Sequence, residues 1–390
     1  MTASRAGAAL ARVAFLRWAS LGCASLGCAS LLAGCGTQPA KVAVTAPPAL
    51  TAPLSTSLVT TQGTWAIAVM GGSAAAENNF WQLFVRPAAA SAWSLVTPAG
   101  VADNGGLVAA GTGSSLLVGF RPSQDLAFSP LAASTDTGRN WSTGLLDADL
   151  ANVPDAIAAT PAGPELALLQ DGSIERAPTP SAAAAGQWSR LTTLSALAAS
   201  AVGSRCGLAG LHAVSFGQNE MPVAAGSCVR RGVAGVFTEV GGTWRSAGLA
   251  LPAAFGRDQV QVLGLAGTAA GGTVLMAAGN SLLAAWPDGA RWTVSDPVAA
   301  GTVRASGFGT GGSAWLLLGG GRAETVAGPG RSWQPLPAVP AGTATLAPGP
   351  GGSYEALAVA GAKLTVWRLS QGAWAAVQVI KVPIQYGSSS

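Results

Sequence analysis

Tryptophan recurs in one local setting along most of the chain, and this recurrence restricts the fold more than any other feature. Trp93 (ASAWSLV), Trp141 (GRNWSTG), Trp188 (AGQWSRL), Trp244 (GGTWRSA), Trp292 (GARWTVS), Trp333 (GRSWQPL) and Trp374 (QGAWAAV) mostly follow Gly by two or three positions and run into apolar, β-prone sequence. Their spacings are 48, 47, 56, 48, 41 and 41 residues, averaging just under 47. Seven such units need about 330 residues, and residues 58–384 supply 327. A period of this length marks an architecture in which no unit buries its apolar face alone.

Within each unit, short β-rich runs are punctuated by Gly or Pro. The last unit reads as strands over 355–359, 363–368 and 373–380, with Gly361 and Gly372 at the turns. Strands at such spacing, in units of 40 to 50 residues, predict an all-β chain whose four-stranded antiparallel blades form a seven-bladed β-propeller. A pair of β-sandwiches is the alternative, but it gives no reason for one Trp per unit. Composition agrees with many short strands: 53 Gly and 24 Pro stand beside only 10% charged residues, which excludes a coiled coil, an acidic disordered chain and a basic nucleic-acid arm. Residues 259–287 carry no charge, yet five Gly divide them into strand-sized pieces, so they read as buried strands and not as a span.

The N-terminus is read separately. Arg5, Arg12 and Arg17 precede an uncharged stretch from Ala19 to Ala33, the layout of an export signal. The stretch ends Leu32-Ala33-Gly34-Cys35, which resembles the lipobox of bacterial lipoproteins. Cys23 and Cys28 compete less well, each having Ser three residues earlier where Cys35 has Leu. The resemblance implies cleavage before Cys35 and acylation of its thiol, hence a lipid-anchored protein on the extracytoplasmic side of the cell membrane. The domain expectation is therefore a signal peptide over 1–34, the lipidated Cys and a Pro-rich tether over 35–57, the propeller over 58–384 and a tail over 385–390. Pro39, Pro47, Pro48 and Pro53 would extend the tether at roughly 3 Å per residue. Removing the signal takes three Arg from the formal charge of +4, leaving 18 basic and 17 acidic residues, a net +1. The Ala-, Gly- and Arg-rich composition points to a GC-rich, actinobacterial source.

Of the five Cys, two fall in the signal and one is the anchor. Cys206 and Cys228 remain, 22 positions apart around a turn near Gly217-Gln218-Asn219. In an exported protein, two Cys on facing strands of one blade are expected to be joined.

One unit holds a fuller motif: Ser134-Thr135-Asp136-Thr137-Gly138-Arg139-Asn140-Trp141. It resembles the Asp-box, or BNR, repeat (Ser-x-Asp-x-Gly-x-x-Trp) of sialidase-like and sortilin-like propellers and of photosystem II stability factors. The resemblance covers one hairpin well and the other units weakly. It implies that Ser134, Asp136, Gly138 and Trp141 are fold residues of an outer hairpin, on the face away from any binding site.

A sialidase-like reaction would need an Arg cluster, a Tyr nucleophile activated by Glu, and an acid/base carboxylate. Tyr354 and Glu355 are adjacent, so on a strand they point to opposite faces. Phe120-Arg121-Pro122 only partly matches the sialidase Arg motif. His212 is the single His, which excludes a His-rich metal site and a Ser-His-Asp triad. The Gly runs at 309–312 and 319–321 lack a following Lys and helix and read as turns. No catalytic residue, metal or cofactor is assigned. If the propeller binds a partner, the candidate residues lie in the loops between blades: Asp147, Asp149, Asp155, Arg257, Asp258, Asp296 and Arg304, because such loops converge on one face. The expectation is a monomeric, non-catalytic binding or assembly module for an envelope protein or glycan, contacting membrane lipid through Cys35 and no nucleic acid. A divergent exo-glycosidase is the alternative.

Overall fold

The computed structural model describes residues 57–381, apart from 61–62, 71–79, 88–89, 98–106, 113, 121–130, 143–153, 161–162, 268–271, 290 and 362. Among the described residues the strands fall into seven antiparallel sheets that follow one another along the chain. They occupy 57–95 (sheet 1), 107–134 (sheet 2), 156–193 (sheet 3), 208–246 (sheet 4), 260–299 (sheet 5), 303–335 (sheet 6) and 343–381 (sheet 7). In each, the first three or four strands are hydrogen-bonded in chain order, so every sheet is a meander. Sheets 1, 3, 4, 6 and 7 have four strands, sheet 2 has three described strands, and sheet 5 gains a fifth where Val298–Ala299 pairs with Ser281 and Leu282. The uncharged stretch at 259–287 resolves into Val260–Ala266, Thr273–Ala278 and most of Ser281–Asp288. No helix among the described residues is long and apolar enough to cross a membrane.

The first strands of the sheets are Ser57–Thr60, Leu107–Thr112, Ala156–Ala159, Leu208–Phe216, Val260–Ala266, Val303–Phe308 and Thr343–Pro348. Each lies beside the first strand of the next sheet, and Thr343–Pro348 returns to Ser57–Thr60, so the order of neighbours closes on itself. Second strands such as Glu165–Leu168 and Ala314–Leu318 are buried at every residue. A sheet covered on both faces needs apolar side chains pointing both ways, which is why these strands read as continuous apolar runs. Packing is close at Gly307, where an added Cβ would lie 2.4 Å from Trp315 Cζ2. The hairpins after the first strands of sheets 4, 6 and 7 share one turn, with Gly217, Gly309 and Gly349 donating N–H to the carbonyls of Met221, Ser313 and Ser353. Two residues in each turn have positive φ: Asn219 and Glu220, Gly311 and Gly312, Gly351 and Gly352.

The repeated Trp bolts sheets together. Indole Nε1–H of Trp141 in the hairpin after sheet 2 donates to the Val96 carbonyl after sheet 1 at 2.9 Å. Trp292 of sheet 5 donates to Ala247 after the last strand of sheet 4 at 2.8 Å, and Trp374 of sheet 7 to Pro337 after sheet 6 at 3.1 Å. Trp333 of sheet 6 reaches Ser295 Oγ after the fourth strand of sheet 5 at 2.9 Å. Each acceptor lies three or four residues beyond the Trp of its own unit, so one period supplies both halves of the contact. Trp188 departs from the pattern and donates to Ala183 at 2.9 Å. Ala183 belongs to a short helix, α1 (Pro180–Ala184), that packs beside sheet 2.

Sheets 7 and 1 meet through buried charge. Glu355 is fully buried and accepts from Arg86 Nε (3.1 Å), Arg368 Nη2 (2.7 Å) and Trp93 Nε1 (2.7 Å). Arg86 also donates to the Pro348 carbonyl at 2.7 Å and lies over the Trp93 ring, 5.7 Å from its centroid. Gln378 completes the junction, accepting from Trp93 N and donating to Trp93 O, both at 2.8 Å. Desolvation pulls the Arg86 pKa below its ordinary value, with neighbouring Glu355 opposing the shift. A guanidinium keeps its proton in such a site, so the junction holds one carboxylate between two cations.

Two further helices, α2 (Leu194–Ala199) and α3 (Ala201–Cys206), were not predicted. They lie between sheets 3 and 4, inside the longest Trp interval of 56 residues. Thr193 and Ser200 cap them, accepting from Ala196 N and Gly203 N. Cys206 and Cys228 form a disulfide with Cα atoms 5.4 Å apart. The setting differs from two facing strands: Cys206 ends α3, while Cys228 ends strand Pro222–Cys228.

Candidate binding face

The linkers between sheets and the turns between second and third strands gather at the same end of their sheets. At sheet 4 the backbone holds them against each other. Val229 N donates to Gly207 O at 2.8 Å, Arg230 N to Cys206 O at 3.0 Å, and Gly232 N to Asp258 O at 2.8 Å. Arg231 Nη1 donates to Arg257 O at 2.8 Å, and Gln259 Nε2 bonds Cys228 O. The disulfide ties the end of α3 to the same turn. Arg205, Arg230, Arg231 and Arg257 are thereby brought to one locality, all four exposed. None forms an ion pair among the described residues, where the ion pairs are Arg86–Glu355, Arg190–Glu175, Arg322–Glu324 and Arg368–Glu355. Between them Val229 is 70% exposed. Unpaired guanidiniums beside an uncovered apolar side chain can recognise carboxylates bidentately and bury a small apolar contact at the same time.

The candidate residues read from the sequence divide as follows. Cys35, Asp147 and Asp149 lie outside the described residues. Arg257 belongs to the basic locality, and Asp258 stands beside it with its carboxylate close to Gly279, where an added Cβ would meet Oδ2 at 3.0 Å. Asp155 is exposed just ahead of Ala156–Ala159, its N–H held by Leu168 O at 2.7 Å. Asp296 is exposed and accepts from Ser332 Oγ at 2.8 Å. Arg304 is exposed on a first strand, as is His212, whose ring bonds Ser227 Oγ at 3.0 Å. Among the described residues no bond joins Asp155, Asp296 or Arg304 to the basic locality. Arg205, Arg230 and Arg231 escaped the sequence reading. Their signal was the disulfide, since each lies within three residues of a bonded Cys.

Tyr354 packs toward sheet 6 with Trp315 and Trp367, and burial raises its phenol pKa. Glu355 points to the other face and is engaged at the sheet 1 junction. Among the described residues no three His, Cys, Asp or Glu side chains are grouped as metal ligands.

The segment Ser134–Trp141, which resembles an Asp-box in sequence, forms a hydrogen-bonded turn. Ser134 Oγ accepts from Gly138 N at 2.9 Å, and Asp136 Oδ1 accepts from Asn140 N at 2.8 Å and Ser134 Oγ at 2.9 Å. Gly138 takes φ +83°, with Val96 Cβ only 2.8 Å from an added Cβ. These donors hold the Asp136 carboxyl below the usual carboxylate range. All of its described bonds are internal to the turn.

Meandering antiparallel sheets arranged around closed neighbouring first strands define a β-propeller. Solved structures of propellers agree with this. YCF48 bound to D1 peptide matches with a TM-score of 0.50 at 15% identity, over 80% of this chain and 90% of that one. A protein from Lactobacillus plantarum matches with a TM-score of 0.51 at 11% identity, over 78% of this chain and 93% of that one. No protein-family model matches the sequence, and no curated protein does.

Proposed function

We propose that this chain is a lipid-anchored, extracytoplasmic, seven-bladed β-propeller of Asp-box type that acts as a non-catalytic binding or assembly module. In this reading residues 1–34 are a cleaved signal, Cys35 carries the lipid, 35–57 are the tether, and the monomeric propeller holds an envelope protein or glycan. The observation that carries the reading is the basic locality at sheet 4: four exposed Arg around Val229, clamped by Cys206–Cys228. In a chain with 10% charged residues, such a concentration is a surface matched to acidic groups on a partner. YCF48 with its D1 peptide is a precedent for a propeller that holds a peptide.

In-cell photo-crosslinking from a probe at Val229 tests this. The wild type should recover one reproducible partner, R230E/R231E should cut the yield at least tenfold, and Cys35→Ala should move the protein out of the membrane fraction. Random neighbours, or a partner indifferent to the charge reversal, would sink the binding-face reading; unchanged membrane retention of the Cys35 variant would sink the anchor.

A further inference from the structure

The outer strand of sheet 7, Ala373–Lys381, is unlike its counterparts. It runs for nine residues, whereas the fourth strands of sheets 1, 3, 4, 5 and 6 have two, five, four, four and two. Long exposed edges attract further strands, and proteins usually guard them by keeping them short or by placing charges and Pro along them. Ala373–Lys381 has no Pro and no charge before its last residue.

Its side chains are equally unusual. Val377 and Val379 are 44% and 58% exposed and, with Val229, are the exposed large hydrophobic residues among those described. The register against Lys363–Ser370 shifts so that Val377 has no partner of its own. The shift decides which way the far end faces. Leu364, Val366 and Ile380 pack against Phe84 and Trp93 of sheet 1, which leaves Thr365, Val379, Lys363 and Lys381 on the opposite side. Sheet 6 faces that side, and its outer strand is only Gln334–Pro335.

Lys363 and Lys381 are directly paired across the two strands, and both are exposed. The chain has three lysines in all, so two of them sit here. Like charges opposite each other destabilise a sheet, and neither makes an ion pair among the described residues, where every ion pair uses Arg. A carboxylate from outside would relieve the repulsion.

We propose that this edge takes up an extended peptide as a further antiparallel strand, with apolar side chains against Val377 and Val379 and an acidic residue near the peptide's N-terminal end against Lys363 and Lys381. Main-chain bonds would give affinity, and the two lysines would fix direction and register. Antiparallel pairing continues the sheet as built and brings the start of the peptide to Lys381. This surface is separate from the Arg locality of sheet 4 and goes beyond the function proposed above.

The test uses the full-length protein and a fluorescein-labelled nonapeptide, two Asp followed by alternating Val and Thr, read by anisotropy. Two controls accompany it: the same peptide headed by two Lys, and one with a central Pro. The Asp-headed peptide should bind at least tenfold tighter than either control, and K363E/K381E should reverse the preference between the two heads. R230E/R231E separates the two surfaces: peptide binding that survives it belongs to this edge, whereas binding lost with it belongs to the Arg locality of sheet 4 and would overturn the proposal. Equal binding of the Pro-containing peptide, a preference untouched by K363E/K381E, or no binding would overturn the proposal. So would sedimentation showing that copies of the chain pair through this edge and that Val379→Asp returns the monomer.

Discussion

Glu355 and Glu165 are both fully buried, and each lies between two sheets, yet their surroundings are opposite. Glu355 joins sheet 7 to sheet 1 and is held by Arg86, Arg368 and Trp93. Glu165 pairs with Ala159 and Ala177 on the face of sheet 3 that meets Leu117, Leu131 and Ala133 of sheet 2. Among the described residues neither of its carboxyl oxygens has a hydrogen-bond partner, nor does nearby Thr160 Oγ1. Burial alone drives the Glu165 pKa well above the ordinary value of 4.5. The first carboxylate is a clasp where the two ends of the repeat array meet; the second is a polar group left in an apolar seam. A buried charge serves a junction only when its partners arrive with it.

The largest expected effect breaks the clasp. Glu355→Leu strands Arg86 in the interior and should cost about 3–5 kcal/mol in urea unfolding. Replacing Glu355, Arg86 and Arg368 together by apolar residues of similar volume should recover most of that loss. A triple variant no more stable than Glu355→Leu would show that the junction depends on its geometry and not on charge balance.

Glu165 should respond in the opposite direction. Glu165→Leu removes an unpaired polar group and is expected to stabilise by about 1–3 kcal/mol at neutral pH. The pH dependence has a definite sign. The folded state holds the proton more tightly than the unfolded state, so the wild type is favoured below about pH 4.5 and loses stability as pH rises toward the raised folded-state pKa. Glu165→Gln should flatten that decline in thermal melts across the acidic to neutral range. A decline of the same slope in the Gln variant would assign the dependence to other groups.

The smallest single effect is expected at a Trp bolt away from the clasp. Trp292→Phe keeps most of the packing but leaves the Ala247 carbonyl without its indole donor, a loss of about 1 kcal/mol. Trp93→Phe should cost more, about 1.5–3 kcal/mol, because its acceptor is the Glu355 carboxylate. Equal losses at the two positions in chemical denaturation would mean that the clasp adds nothing to the common bolt.

Much of this was legible along the chain. The Trp period located six of the seven sheets through a bolting or packing residue at the start of the outer strand, and sheet 2 through Trp141 in the hairpin that follows its third strand. In sheet 7 the strands expected at 355–359, 363–368 and 373–380 are Tyr354–Ala360, Lys363–Ser370 and Ala373–Lys381. The two helices before sheet 4 left a trace in the 56-residue interval and in the capping residues Thr193 and Ser200, but short Ala-rich runs are ambiguous between strand and helix. Of the basic locality, only Arg257 was read as a candidate, because Arg205 and Arg230 approach through a backbone bond across 24 intervening residues.

What the sequence by itself determined is what repeats locally: strand length, turn glycines and a Trp every 41 to 56 residues, since each depends on neighbours within one unit. The tertiary structure alone decided which singular residues meet. Arg86 and Glu355 are 269 positions apart, and no periodicity relates them. They pair because the last sheet returns to the first, and closure brings together the two ends of a chain whose local rules carry no information about each other.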